Sequence, residues 1–230
     1  ELISFDEAKH EYTYLPENEK WNGITSLIKN YAEEFELEKM SKYVARRDGM
    51  TQAQVKKLWS EKGQRAIEYG NFFHKMAENH IIEGAMYDEP EFDAYLDAIE
   101  IMGLTPVTAE WVIFDERIKR ASAIDGVYEL NGELVLVDFK TNEDLDKLFK
   151  VYKDKRFFYP ITELTDCKYH KYCLQLNIYH KIVKEMYDVS ISDLMLILHV
   201  REDRANWIPV PLLDGLVDNL YDQEMELADV

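Results

Sequence analysis

Cysteine, proline and glycine are scarce in this chain: 2, 6 and 9 residues of 230. Two cysteines, Cys167 and Cys173, do not suggest a disulfide framework. They are also too few for an iron–sulfur cluster held by four thiolates, so none is expected. Two reduced thiols fit a cytoplasmic protein. No run of 18 or more apolar residues occurs, which argues against a membrane span and a membrane partner. The opening ELISFDEAKH has neither a basic n-region nor an apolar h-region, so no secretory signal is expected in it. No internal repeat, low-complexity tract or Gly/Ser linker interrupts the sequence.

Positive charge is the other shortage. Lys and Arg number 27 against 45 Asp and Glu, for a net charge of −18. Phosphate binding is driven by Lys and Arg, so the overall balance speaks against a nucleic-acid partner. A basic groove can nevertheless coexist with acidic flanks. Local basic clusters occur at Arg117–Arg120, Lys147–Arg156 and Lys56–Arg65, each of which taken singly suits a solvated face. An acidic chain also suits a metal enzyme whose ligands are carboxylates.

Apolar and aromatic residues are abundant, 47% and 13%, enough for a large core in a single domain spanning 1–230. Ile3–Tyr14 alternates and is aromatic-rich, as one or two short strands would be. Ile24–Arg47 reads as a helix ended at Asp48-Gly49, and Thr51 as the N-cap of a helix reaching about Lys62. A further long helix is expected over Gly63–Glu83 and a shorter one over Glu91–Met102. The character then changes. Ala109–Phe114 reads as a strand, Asp144–Phe149 as a helical turn, Lys155–Asp166 as irregular and Tyr169–Tyr187 as a long helix. Leu194–Val200 has the near-continuous apolar content of a buried strand. Trp207–Pro211 reads as an edge strand because of its prolines, and Asp214 as the cap of a last helix. This order predicts an α/β (α+β) fold: a mixed central sheet flanked by helices, with 1–105 mainly helical as an N-terminal wall and 106–230 carrying the sheet core.

Ala121–Thr141, ASAIDGVYELNGELVLVDFKT, is the most informative stretch. Asn131-Gly132 is the strongest short signal for a two-residue type I′ hairpin. With those residues as the loop, Leu130 faces Glu133 and Asp125 falls opposite Asp138. Lys140 then projects from the same face as Asp138. Opposed like charges destabilise a sheet pair, and Asp138 interrupts an apolar run where a charge is costly unless paired or metal-bound. A divalent cation is the simplest remedy, and two carboxylates on a cation beside an ammonium make a site for phosphodiester hydrolysis. The plain alternative is an ordinary Asp138–Lys140 pair at a strand end.

Three further elements stand near this hairpin in the order of the chain. Glu110 opens the strand AEWVIF and could add a carboxylate at the same sheet end. His74 lies on a helix with Gly70 one turn before it, where close packing against a sheet is eased, and with Glu78 one turn after it. Tyr172, Gln175 and Tyr179 share one helical face beside the apolar stripe Leu174, Ile178, Ile182. Each also has a plain structural explanation: a strand-end Glu, a core or surface His, a tyrosine-rich amphipathic helix.

Taken in order, G-x-x-x-H at Gly70–His74, Glu110, D…DxK at Asp125 and Asp138-Phe139-Lys140, and Q-x-x-x-Y at Gln175–Tyr179 resemble the RecB-like exonuclease branch of the PD-(D/E)XK nuclease superfamily. The match spans about Gly70 to Val200, and the segment Gly23-Ile24-Thr25-Ser26 is similar to the start of phage members. The resemblance implies a restriction-endonuclease-like fold and a metal-dependent DNA nuclease, most simply an exonuclease, binding single- or double-stranded ends. It implies Mg²⁺ or Mn²⁺ held by His74, Asp125, Asp138 and the Phe139 carbonyl. Lys140 would position or deprotonate the attacking water and stabilise charge at the phosphate. Gln175 would orient Lys140 or the DNA with Tyr179 beside it, and Glu110 would support the metal or bind a second ion. A recombination or replication protein partner is implied too, as is a host cytoplasm if the chain is phage-encoded. The eponymous proline is absent before Asp125, where Ile124 stands. The alternative is a non-catalytic nucleic-acid- or protein-binding accessory module on the same scaffold. A hydrolase of small phosphate esters is disfavoured by the lack of a phosphate-cradling glycine loop.

Overall fold

The computed structural model describes residues 2–6 and 11–228. Strands β1 (Ile3–Asp6), β2 (Glu11–Tyr14) and β3 (Glu19–Gly23) come first, followed by helices α1 (Ile24–Asn30), α2 (Leu37–Asp48), α3 (Gln52–Glu83) and α4 (Pro90–Met102). Strands β4 (Thr105–Asp115), β5 (Arg120–Leu130) and β6 (Glu133–Lys140) form the central run, and a 3₁₀ turn (Leu145–Leu148) leads on from it. Helix α5 (Lys168–Met186), strands β7 (Ile191–Arg201) and β8 (Arg204–Val210) and helix α6 (Asp214–Ala228) complete the order. Eight strands make one mixed sheet flanked by helices, the expected class. Its path is β1-β2-β3-β5-β6-β7-β8, with β4 also paired to β5. β6 and β7 run parallel, and β8 is the terminal strand on that side. The part of the expected first strand region at 7–10 lies outside the described residues.

The two faces of the sheet bury different helices. On one, Ile24, Leu27 and Ile28 of α1, Leu174, Ile178 and Ile182 of α5, and Val217 and Leu220 of α6 pack on Ile124, Leu136 and Ile197. On the other, Phe73, Met76 and Ala77 of α3 and Phe92, Tyr95 and Ile99 of α4 pack on Tyr128, Val137, Phe139 and Leu198. A smaller cluster of Ile3, Tyr12, Tyr14 and Trp21 covers Ala121. The N-terminal part is therefore more than a wall: α1 crosses to the α5 face, and β3 joins the sheet beside β5, parallel, at Asn22↔Arg120 and Gly23↔Ala121.

Local chemistry accounts for most boundaries. Thr51 caps α3 through a capping box with Gln54. Gly49, Gly84 and Gly103 end α2, α3 and α4 in the left-handed conformation. Asn131 and Gly132 have φ of 55° and 86°, the paired positive values of a type I′ turn. Three expectations change. Glu19–Gly23 is a strand that its single apolar residue, Trp21, did not announce. The helix expected over Ile24–Arg47 is broken at 31–36. There the Tyr31 hydroxyl donates to Glu224 Oε1 at 2.7 Å and its carbonyl accepts from the Phe158 amide at 2.7 Å. These long-range bonds override a sequence without local breakers. Conversely, Gly63 does not separate two helices. It lies inside the 32-residue α3, because one unfavourable residue costs less than a helix end with unpaired backbone groups. Asp214 is the first residue of α6 and lies in its first turn.

Candidate metal and phosphodiester site

The hairpin register runs as the turn dictates, from Leu130↔Glu133 to Gly126↔Val137, and stops one pair short of Asp125 and Asp138. There the strands fork. The Phe139 amide donates to Asp125 Oδ2 at 2.8 Å, so a carboxylate takes over from the backbone carbonyl of a continuing ladder. β5 also changes face at this point. Residues two apart on a strand should share a face. Ile124 packs on the α5 side, whereas a Cβ on Gly126 would meet Tyr128 at 2.9 Å and Phe139 at 3.0 Å on the α3 side. Only glycine fits there without displacing a ring.

The neighbouring strand changes conformation at the same level. On β4, Ala109 pairs with Gly126 and Trp111 with Ile124, which leaves Glu110 opposite Asp125. Glu110 has φ of +48° in mid-strand. A non-glycine residue pays for that conformation, which is characteristic of functional sites. The result is a half-buried acidic pair, Glu110 and Asp125, at a break in the regular strand conformation.

His74 reaches this pair from α3. Its Nδ1 lies 3.8 Å from Asp125 Oδ2, and its ring stands edge-on to Phe139 at 5.7 Å. Ligand atoms of His74, Glu110 and Asp125 lie within 4.8 Å of one another, the arrangement a cation would draw together. Gly70 brings α3 close to the chain beyond Lys140: a Cβ on it would sit 3.4 Å from Thr141 Oγ1. Glu78 is held by Lys75 at 2.9 Å. His80 Nδ1 is 3.0 Å from the Ala85 carbonyl, at the end of the helix.

Asp138, Lys140 and Gln175 form the adjoining half on the α5 face. Asp138 is 2% exposed. Its Oδ2 lies 2.5 Å from Lys140 Nζ, and its Oδ1 accepts from Gln175 Nε2 at 3.1 Å. Gln175 Nε2 also donates to the Tyr179 hydroxyl at 2.9 Å, which bonds Ser122 Oγ at 2.7 Å. Lys140 Nζ donates to the Phe139 carbonyl at 3.1 Å and lies 4.4 Å from the centre of the Tyr172 ring. Burial pushes the Asp138 carboxyl up to about 6; Asp125 adds to the rise while Lys140 and His74 oppose it. Burial alone would lower the Lys140 ammonium, but Asp138 and Asp125 outweigh it and raise it. Without a cation, then, the lysine is held charged, opposite to the lowering that a nearby cation causes.

Every residue of the sequence constellation thus reaches one end of the sheet, in two groups: His74, Glu110 and Asp125 at the fork, and Asp138, Lys140, Gln175 and Tyr179 beside it. Asp138 pairs with Lys140 and stands outside the three-ligand group, and the Phe139 carbonyl accepts from Lys140 Nζ. Ser122 and Tyr12 carried no motif. Yet Ser122 supports Tyr179, and the Tyr12 hydroxyl bonds Ser122, its own pKa pushed up to about 12 mainly by burial. A serine in an apolar strand was the one available signal.

Three carboxylates against one ammonium leave excess negative charge in a half-buried site. That donor set, oxygen with one imidazole, suits Mg²⁺ or especially Mn²⁺. Among the described residues no helix is long and apolar enough to cross a membrane.

No protein-family model matches the chain. No curated protein matches it. Among solved structures, one described as the crystal structure of SSO0001 is similar over 71% of this chain and 70% of that one, at 14% identity and a TM-score of 0.28. That overlap is too low to bear on either the fold or the activity.

Proposed function

We propose that this chain is a metal-dependent DNA nuclease, acting as an exonuclease in the cytoplasm, with 1–230 as one nuclease domain. The observation that supports this most is the pairing of Glu110 with Asp125 at a strained break in the sheet, next to a buried Asp138–Lys140 pair. The cost of such a cluster is repaid by a cation. The order of the motifs, similar to RecB-like nucleases, supports the same reading. His74, Glu110 and Asp125 would hold Mg²⁺ or Mn²⁺, with Asp138 adjoining. Such an ion screens the charge of the phosphodiester and lowers the pKa of water bound to it.

The protein groups divide the remaining work. Lys140 presents an ammonium at the phosphate and stabilises the charge that builds on its oxygens. Asp138 and the Phe139 carbonyl fix the direction of that ammonium. Gln175 and Tyr179 fix Asp138, so helix α5 sets the geometry of the strand end. Asp125 does two things at once: it offers a carboxylate to the ion and holds the fork closed through Phe139.

The test is cleavage of linear DNA with Mn²⁺ by the wild type, Asp138→Ala and Lys140→Ala. Losses of a hundredfold or more are expected, and equal rates would end the proposal. The net charge of −18 favours a second reading, an accessory module that binds a recombination or replication protein. Calorimetry separates the two, since that module has no need to bind Mn²⁺.

A further inference from the structure

A cleft of about 440 Å³ opens beside the candidate site, bordered by His199 and Arg201 of β7 and Arg204 and Asn206 of β8. We propose that it is a nucleotide subsite, which seats the nucleotide next to the scissile phosphate. The inference rests on the nuclease reading for its place in the reaction, and on the cleft's own chemistry for its ligand.

Position comes first. β6 and β7 are parallel, and the cleft lies beyond their carboxyl ends, where open α/β sheets bind ligands. Lys140 pairs with His199, and His199 with Asn206, so the three form a row across neighbouring strands. At about 4.8 Å per strand, the cleft begins one strand away from Lys140. A chain with its phosphate at Lys140 would carry its next nucleotide over this row.

The cleft's donors and acceptors fit the two ends of a nucleotide. Arg201 is fixed by stacking on Tyr69, 4.0 Å from the ring centre, and by a 3.4 Å bond to the Thr141 carbonyl. Arg204 stands exposed on the opposite strand, paired with Arg201 in register, its Nε in an exposed ion pair with Asp203 at 3.7 Å that a phosphate would compete with. Two guanidiniums facing across a strand pair suit a phosphate. Glu143 also borders the cleft, but Lys62 pairs with it. Glu202 borders the mouth, where its amide donates to the Tyr69 hydroxyl. Deeper in, His199 is 4% exposed. Its Nε2 lies 2.8 Å from the Asn142 carbonyl, which can only accept, so Nε2 carries the proton. Nδ1 is then an acceptor, and it has no hydrogen-bond partner; nor has the neighbouring Asn142 Oδ1. A buried histidine in the wall, the exposed amide of Asn206 beside it and a pair of arginines at the mouth suit a ligand that brings phosphate at one end and polar groups at the other.

The experiment follows the six histidine rings by nitrogen-edited NMR in the metal-free full chain, with His199 and His74 assigned by His199→Asn and His74→Asn. A deoxynucleoside 5′-monophosphate is titrated into the wild type and into Arg204→Ala/Asn206→Ala, both exposed positions where folding is not at stake. Saturable shifts of His199 are expected, with affinity reduced tenfold or more in the double variant and for the deoxynucleoside lacking phosphate. Shifts confined to His74, no shift of His199, or equal affinity in the variant would overturn the proposal. Neither metal nor cleavage enters this titration. A positive titration with an inert outcome in the Asp138 cleavage test would remove the nuclease reading and leave the nucleotide site; the reverse would remove the site alone.

Discussion

Asp125 replaces a backbone acceptor: its Oδ2 takes the Phe139 amide at 2.8 Å where β5 parts from β6. One carboxylate therefore has a structural bond and a place in the His74–Glu110–Asp125 group.

The two roles separate by substitution. Asp125→Asn keeps an oxygen for the Phe139 amide and loses the charge. It should fold with near-wild-type stability and bind Mn²⁺ at least a hundredfold more weakly. Asp125→Ala also orphans the amide and should lose a further ~1–3 kcal/mol. Urea denaturation and calorimetry on both variants measure the two effects.

Glu110 should invert the usual ranking of small residues in a strand. Alanine normally stabilises a strand interior relative to glycine, by roughly 0.5–1 kcal/mol. At φ of +48° the preference reverses, so Glu110→Gly should be more stable than Glu110→Ala by about 1 kcal/mol. Both should weaken Mn²⁺ binding. Denaturation midpoints that rank alanine above glycine would remove the claim of stored strain.

Asp138 should make stability and metal binding depend on pH in opposite ways. Its folded pKa, about 6, lies above its ordinary 3.8. The folded state thus holds the proton more tightly, and this contribution to stability is complete below about 4 and lost as pH rises through about 6. In EDTA, the melting temperature of Asp138→Asn should gain on the wild type between those limits. Mn²⁺ competes with the same proton, so the stabilisation it gives the wild type should grow over that range. Melting curves that stay parallel across this window would contradict the assignment.

Gly63 offers a test of the fold alone. A Cβ there would meet nothing within 4 Å, and the position is interior to α3. Gly63→Ala should stabilise the protein by roughly 0.5–1 kcal/mol. Destabilisation would mean that the helix breaks at that residue after all.

Some elements were legible because their causes are local. Asn131-Gly132 sets the hairpin register by turn geometry, and Tyr172, Gln175 and Tyr179 share a face by helical period. The same cannot be said of the residues 31–36, where bonds from Tyr31 to Glu224 and Phe158 stop a helix that its own sequence would continue. Nor was β3 legible: Glu19–Gly23 is a strand because β2 and β5 supply partners on both edges. Ser122 gained its role only from Tyr179, on a helix far along the chain.

The sequence by itself determined which side chains could do chemistry and, through turn and strand periodicity, that Asp138 and Lys140 would share a face; helical period put Tyr172, Gln175 and Tyr179 together on a helix, and only the structure brought Gln175 onto Asp138. Tertiary structure alone decided that the ladder parts before Asp125 meets Asp138, that Glu110 turns left-handed to stand against Asp125, and that His74 arrives from the other side. The reason is physical. Periodicity and turn preference act over a few residues, whereas the fork is fixed by two layers of helices demanding opposite faces of one strand, a condition that exists only after all of them have packed.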